Sequence, residues 1–175
     1  MRHHLVLTWL LALTLPLSPG CGHDHEHGDH GHSHDHDHDH AHSAKNGGSL
    51  VVLAEEFAHM EVLVDAEAGQ VTAWSLGPHC ENYEKLAQPT IDLTVAVEGG
   101  EPFTLTLDAQ YSQMSSDEEG SSSWFAATDE RLVGLDAFDG TFGAITSRGR
   151  TFESTAFPYP EGNDERAAHD HDHEH

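Results

Sequence analysis

Apolar and polar residues alternate through the middle of this chain with the period of a β-strand. Every second side chain is hydrophobic in residues 59–65, 91–97 and 103–107, as expected where one face of a strand is buried. Further short apolar segments lie at residues 50–53, 71–76, 124–127, 142–146 and 151–157. With turn residues roughly every 8–12 positions, the pattern predicts an all-β fold, a single antiparallel immunoglobulin-like β-sandwich of about seven strands. A small open barrel is the alternative.

The clearest predicted hairpin joins residues 91–97 to residues 103–107. A two-residue glycine loop would place Val95 opposite Thr104 and turn the two apolar sets to opposite faces. A three-residue loop instead pairs Val95 with Leu105 and keeps the apolar side chains on one face. The pattern therefore predicts the second register, in which glycine can take the left-handed position.

Weaker signals surround these strands. Residues 110–123 are polar and acidic and predict a loop, whereas the segment from Asp129 to Leu132 predicts a short helical turn. Pro158 and Pro160 predict the end of the sheet, because proline cannot donate a backbone hydrogen bond. We expect the β-domain to span residues 46–160.

The first 20 residues have the features of a secretory signal. Arg2 precedes a mostly apolar stretch, residues 5–17, that is too short to span a bilayer comfortably. Gly20-Cys21 resembles the cleavage site of bacterial lipoproteins, although Ser18 departs from the leucine that is usual three positions before the cysteine. We expect residues 1–20 to be removed and Cys21 to be lipidated. Ordinary cleavage, with a free or disulfide-bonded Cys21, is the alternative.

Two tracts rich in histidine and acidic residues flank the predicted domain, in residues 21–45 and 161–175. They contain almost no apolar residues that could offset the entropy of ordering, so we expect both to be disordered without metal. Fourteen of the 18 histidines lie in these tracts. The candidate ligands are His23, His25, His27, His30, His32, His34, His36, His38, His40 and His42 in the first tract, and His169, His171, His173 and His175 in the second.

Such tracts are typical of metal binding. Neutral imidazole binds zinc, copper and nickel, and an adjacent carboxylate can accept the second ring N–H and so orient the ring. The composition predicts a divalent transition metal, zinc first, with copper, nickel or cobalt as alternatives. Many overlapping, exchanging sites are expected rather than one cage. Simple solvation or pH buffering is the competing interpretation.

The formal charge of the chain limits its partners. With histidine neutral, 31 acidic and seven basic residues give a net charge of −24. Nucleic acid is excluded as a partner because its recognition needs a cationic surface. An anionic membrane would repel the chain, so attachment to a membrane requires a lipid anchor. Metal cations are the natural partners.

Two further candidate sites lie inside the predicted domain. His59 and Glu61 are two residues apart on one strand, so that both side chains share a face and could bind one ion. His79 and Cys80 follow the third strand in a loop. If the two places converge, the four residues would form a mixed nitrogen, oxygen and sulfur site. A solvent-facing polar pair and a half-buried thiol are the plainer interpretations.

Several of these features together resemble a known domain. Gly47-Gly48-x-Leu50, Glu61-Val62-x-Val64-Asp65, the turn at Gly69 and the central hairpin are similar to the amino-terminal immunoglobulin-like domain of heavy-metal efflux adaptor proteins. Small exported lipoproteins built from that domain alone share the resemblance, which covers about residues 46–157. It implies a place beside a metal-transport complex. Those relatives commonly carry histidine before the glycine pair, where this chain has Asn46.

The sequence contains no nucleophile motif, zinc-protease helix or phosphate-binding loop, so we expect no enzyme. It predicts an exported, lipid-anchored protein, facing the periplasm or cell exterior, that buffers or hands on divalent metal. An interaction module that docks to a metal-transport complex, with tails that only concentrate metal or sense pH, is the alternative.

Overall fold

The computed structural model describes residues 41–111 and 120–167. The predicted signal peptide, the lipidation site Cys21, the tract histidines from His23 to His40 and those from His169 to His175 lie outside the described residues. Of the first tract's candidate ligands, His42 belongs to the described part.

The described residues form a β-rich domain, which confirms the predicted all-β class. Its ten strands are β1 (Ser49–Leu53), β2 (Ala58–Asp65), β3 (Gln70–Leu76), β4 (Thr90–Ala96), β5 (Phe103–Ala109), β6 (Trp124–Thr128), β7 (Phe138–Phe142), β8 (Ile145–Ser147), β9 (Arg150–Phe152) and β10 (Thr155–Tyr159). A 3-10 turn over Glu130–Leu132 lies where a helical turn is predicted, and the Asp129 side chain caps it by accepting from the backbone of Arg131.

Eight strands form one antiparallel sheet in the order β1-β2-β3-β6-β5-β4-β7-β10, and β8 pairs with β9 as a small separate hairpin. The prediction of antiparallel strands is therefore confirmed. The prediction of a two-sheet sandwich of about seven strands needs correction. The eight strands form one twisted sheet, which curls until its first strand, β1, approaches its last, β10. This arrangement is closer to the open-barrel alternative, and the β8–β9 hairpin contributes Ile145 and Phe152 to the enclosed core.

The concave face of the sheet holds the main core. Strand residues that alternate along the chain point inward, and the largest fully buried side chains include Phe125, Phe142, Met60 and Leu93. Deleting such a side chain leaves a cavity and costs about 3–5 kcal/mol for phenylalanine. A close-packed interior of this kind holds the neighbouring strands in fixed positions for the site described below.

The central hairpin shows what an alternating pattern can and cannot predict. Val95 pairs with Phe103 and Leu93 with Leu105, two residues from the predicted register. The apolar faces still coincide, because a shift of two residues preserves the side of every side chain. The connection is longer than predicted and contains a turn in which Gly100 N donates to Val97 O at 3.0 Å.

The last two apolar segments of the sequence, residues 142–146 and 151–157, take part in two separate ladders. β7 pairs with β10, while β8 and β9 continue beyond them around the two-residue turn Arg148-Gly149. Pro158 lies within β10 and does not end it. The strand tolerates proline because β10 is at the edge of the sheet, where a backbone donor is not required for a second ladder.

A short C-terminal segment closes the seam between β1 and β10. Asn163 N donates to Leu50 O at 3.1 Å, and its side chain accepts from Val52 N at 2.7 Å and donates to Ala156 O at 3.0 Å. Residues 41–45 and 161–167, which the sequence assigns to the tails, thus include chain that lies against the sheet.

Candidate metal centre

The convex face of strands β1, β2 and β3 carries the candidate site. Here Leu50 and Leu76 form a small second apolar cluster with Cys80, on the opposite side of the sheet from the main core. His59 of β2 lies between them, since it pairs with Val52 of β1 and Leu76 of β3. Its side chain is fully buried, although the alternation of β2 turns it away from the core.

Two terminal segments cover this face. His42 and Ala167 form an isolated parallel bridge, in which His42 N donates to Arg166 O at 2.9 Å. The pairing places the His42 side chain beside that of Asp164, 122 residues away in sequence. Both side chains are buried, so each of the two paired segments contributes one possible metal ligand.

The loop after β3 supplies the sulfur. Gly77 N donates to Asn82 O at 3.0 Å and Cys80 N donates to Gly77 O at 3.1 Å, which closes the loop tightly. Cys80 adopts a left-handed backbone conformation, with φ of 56°, that favours glycine. The side chain of Cys80 is buried at the site, and its thiol forms no disulfide with any residue that the structure describes.

His42, His59, Cys80 and Asp164 together form a compact group of possible metal ligands. One ligand atom of each residue lies within 4.8 Å of those of the others. Around a tetrahedral zinc ion, bond lengths of about 2.0–2.3 Å place neighbouring ligand atoms roughly 3.3–3.8 Å apart. The longest distances between ligand atoms would therefore shorten by about 1.0–1.5 Å around an ion of this size.

The tautomer of His59 is suited to binding an ion. Its Nδ1 lies 3.2 Å from Gly77 O and donates to that carbonyl, which leaves Nε2 with a free lone pair. Nε2 is buried and has no hydrogen-bond partner in residues 41–111 and 120–167. It lies 3.3 Å from Asp164 Oδ2, without hydrogen-bond geometry. Two acceptors thus face each other, and a cation between them would satisfy both.

The Asp164 carboxylate is held so that one oxygen faces the site. Oδ1 accepts from Arg166 N at 2.9 Å, while Oδ2 accepts from His42 Nδ1 at 2.8 Å. The rings of His42 and His59 meet edge to face, with their centroids 4.7 Å apart. The side chains of His42, His59 and Asp164 are therefore oriented by contacts that do not involve an ion, as in a preorganised site.

Burial controls the charges in this group. Burial lowers the pKa of His59 by more than the negative charge of Asp164 raises it. The imidazole is therefore neutral near pH 7. Burial, followed by the negative charges of Asp164 and Glu61, raises the pKa of the Cys80 thiol to about 12. The metal-free site thus holds one neutral imidazole and one protonated thiol, and an ion would displace the thiol proton.

Glu61, a candidate ligand from the sequence, has a different set of contacts. Its carboxylate accepts four hydrogen bonds, from the backbone of Lys45, Asn46 and Gly48 and from the Asn46 side chain, at 2.7–3.0 Å. It is fully buried by these partners. Glu61 therefore holds the chain that follows His42 against the sheet, and is not one of the four grouped side chains.

Sequence reasoning and structure overlap in part at this site. The structure brings together His42, His59 and Cys80, and leaves the exposed His79 just outside, its ring centroid 6.4 Å from that of His42. Asp164 was not a candidate. It is one of 31 acidic residues, and no local pattern distinguishes it from the others.

Comparisons with protein-family models, curated proteins and solved structures found no match for this chain. Within the described ranges, no helix has the length and apolar character needed to cross a membrane.

Proposed function

We propose that this chain is an exported, lipid-anchored protein that buffers or hands on divalent transition metal. Its β-domain would hold one zinc-class ion between His42, His59, Cys80 and Asp164. The histidine tracts at both ends would hold further ions in weaker, exchanging sites. Catalysis forms no part of this proposal.

One observation carries the proposal. A fully buried imidazole nitrogen, Nε2 of His59, faces the carboxylate of Asp164 without a hydrogen-bond partner in the described chain. Leaving such a polar group unpaired costs about 1–3 kcal/mol, and an ion bound there would remove that cost. The nearby imidazole and thiol complete four ligands of the types that zinc accepts.

The chemistry of the four groups favours zinc and cobalt. Two imidazoles, a thiolate and a carboxylate suit a tetrahedral ion of intermediate softness, whereas magnesium, calcium and manganese prefer oxygen ligands. Apart from Cys21, the tracts lack sulfur, and their possible ligands are imidazoles and carboxylates. The two kinds of site should therefore differ in affinity and in spectroscopic signature.

Cobalt(II) substitution tests the central site, because a cobalt–thiolate bond gives a near-ultraviolet charge-transfer band that the tracts cannot produce. The protein is the mature chain with Cys21→Ser, which leaves Cys80 as its cysteine. We expect one equivalent of cobalt to generate the band and one equivalent of zinc to abolish it. Cys80→Ser should remove the band.

Asp164→Asn and Asp139→Asn form a matched pair for this experiment. Asp139 is exposed on β7, so its replacement should leave cobalt affinity unchanged. Asp164→Asn should weaken cobalt binding by about 10–100-fold, the usual effect of altering a group at a metal site. A mature protein that shows no sulfur–cobalt band at any metal concentration would contradict the proposed site.

The tracts and the anchor are tested separately. Removal of residues 22–41 and 169–175 should lower the total zinc stoichiometry measured by calorimetry and leave the single sulfur-containing site intact. Cys21→Ser should move the protein from the membrane fraction to the soluble exported fraction. Unchanged stoichiometry would refute the role of the tracts, and native protein with an unmodified Cys21 by mass spectrometry would refute the anchor.

A further inference from the structure

The candidate metal centre is closed on most sides but has a cavity beside its sulfur ligand. The apolar residues Leu50 and Leu76 lie beneath the site, and the C-terminal segment with Asp164 packs over it. An open cavity of about 610 Å³ lies next to Cys80. Of the four ligand-type side chains, that of Cys80 lines this cavity, so the cavity leads from solvent to the sulfur side of the site.

The two walls of the cavity come from different parts of the chain. One wall is Ala41 and the segment from Ser43 to Lys45, and the other is the loop from His79 to Glu81. His42 belongs to the first wall's segment and Cys80 to the second. The cavity therefore lies between the two segments that carry the first and third ligands of the site.

His79 is placed to bind an ion before the site does. It is exposed, it lines the cavity, and its ring centroid is 6.4 Å from that of His42. Cys80, the next residue, is buried and lines the same cavity. The cavity is therefore lined by a solvent-accessible imidazole and, one residue later in the sequence, by a buried thiol.

The first histidine tract is covalently continuous with the other wall. His40 and His42 are two residues apart, and His42 is both a tract residue in sequence and a buried side chain of the site. A short covalent connection of this kind raises the effective concentration of one binding group near another to about the millimolar range. Ions held by the tract would be concentrated at the cavity.

Lys45 puts a positive charge across the mouth of the cavity. Its Nζ donates to Glu81 O at 2.8 Å, which connects the two walls, and lies 5.3 Å from the centre of the Tyr83 ring. An ammonium group at this point opposes the approach of a metal cation. Its removal should make loading faster.

From this geometry we infer that the cavity is the loading route of the metal centre, with His79 as a transient ligand that passes an ion from the tract to Cys80 and His59. The inference rests on the proposed function. When the sulfur–metal bond forms, the Cys80 S–H bond breaks and its proton leaves to the buffer. His79 then dissociates from the ion, which the four buried side chains retain.

The test follows the sulfur–cobalt band by stopped flow in the mature chain with Cys21→Ser. His79→Ala should slow formation of the band, because an incoming ion loses its first ligand at the cavity, while the final intensity of the band and the equilibrium affinity stay unchanged. Lys45→Gln should accelerate it. Asn82→Ala is the matched control, because Asn82 is exposed on the same loop and does not line the cavity.

Two results would overturn the loading route while leaving the metal centre in place. An unchanged rate in His79→Ala would show that ions reach the site another way. An equal fall in rate and affinity would make His79 a permanent ligand. The absence of a sulfur–cobalt band in the protein with His79 intact is a different outcome, which would refute the proposed function itself.

Discussion

At the scale of single residues, the environment of each side chain determines its chemistry more than its type does. His59 and Glu61 are neighbours on the same strand face and both are fully buried. Glu61 accepts four hydrogen bonds and so stabilises a backbone turn, whereas Nε2 of His59 has no hydrogen-bond partner in the described part of the chain. A satisfied carboxylate has little to gain from an ion, and an unsatisfied imidazole has much.

The Cys80 thiol provides a residue-scale prediction on metal-free protein carrying Cys21→Ser. With its pKa raised from 9.0 to about 12, its thiolate fraction at pH 8 should be about a thousandfold below that of an ordinary cysteine. We expect the rate of alkylation by iodoacetamide to keep rising between pH 9 and pH 11. In urea-unfolded protein the rate should reach half of its maximum near pH 9 and level off above about pH 10, and the same levelling in the folded protein would contradict the prediction.

The same shift has a consequence for stability. The folded state holds the thiol proton to a higher pH than the unfolded state does. The contribution of this group to the free energy of unfolding is therefore present below about pH 9 and is lost as the pH rises toward 12.

At the scale of elements, the seam of the sheet connects barrel closure to the metal centre. β1 and β10 are the end strands, and Asn163 bonds to both of them. Asp164, the next residue, contributes the carboxylate of the site. Whatever fixes the 160–167 segment on the sheet therefore also fixes that carboxylate.

Asn163→Ala tests this connection. Loss of two side-chain hydrogen bonds, at roughly 0.5–1.5 kcal/mol each, should lower the free energy of unfolding by about 1–3 kcal/mol. Urea denaturation followed by tryptophan fluorescence measures this change, and a cobalt titration should show weaker binding at the sulfur-containing site. Glu165→Ala, an exposed neighbour, is the control. Weakened stability with full cobalt affinity would show that seam and site are independent.

At the scale of the whole molecule, the histidine tracts and the buried site belong to one arrangement. In sequence, His40 lies two residues before His42 and His169 lies two residues after Ala167, and the segments of His42 and Ala167 pair with each other. Ligand-rich sequence thus extends from both segments that cover the metal centre. An acidic chain of this composition attracts cations over its length, and the buried site is where the geometry can select among them.

Two fragments test how far the domain depends on its end segments. Residues 41–167 should unfold cooperatively in chelator, because the main core does not involve the metal centre, and zinc at 100 times its dissociation constant should add about 2.7 kcal/mol of stability. Residues 46–157 lack His42, Asn163 and Asp164, so this fragment should be less stable and show no zinc-dependent shift in unfolding temperature. Circular dichroism measures both. A 41–167 fragment that stays unfolded until zinc is added would contradict the prediction.

Properties that depend on neighbouring residues were predictable from the sequence. The all-β class followed from apolar alternation, and the strands β1, β2, β3 and β6 and the capped turn at Asp129 lie where local patterns predict them. The set of side chains that share a face of the central hairpin was also predictable, because alternation along each strand specifies that face. The register itself was not, because all registers that differ by two residues bury the same set.

The sequence by itself determined that this chain is acidic, rich in imidazole and built from antiparallel strands. Only the tertiary structure decided that His42, His59, Cys80 and Asp164 meet, because contacts across as many as 122 residues depend on how the sheet curls and how the chain ends pair. The same folding gave the Glu61 carboxylate four backbone and side-chain donors and left His59 Nε2 without a partner among residues 41–111 and 120–167. Ligand identity is a property of residue type, but a site requires a fixed arrangement in space, and that arrangement is produced by long-range packing.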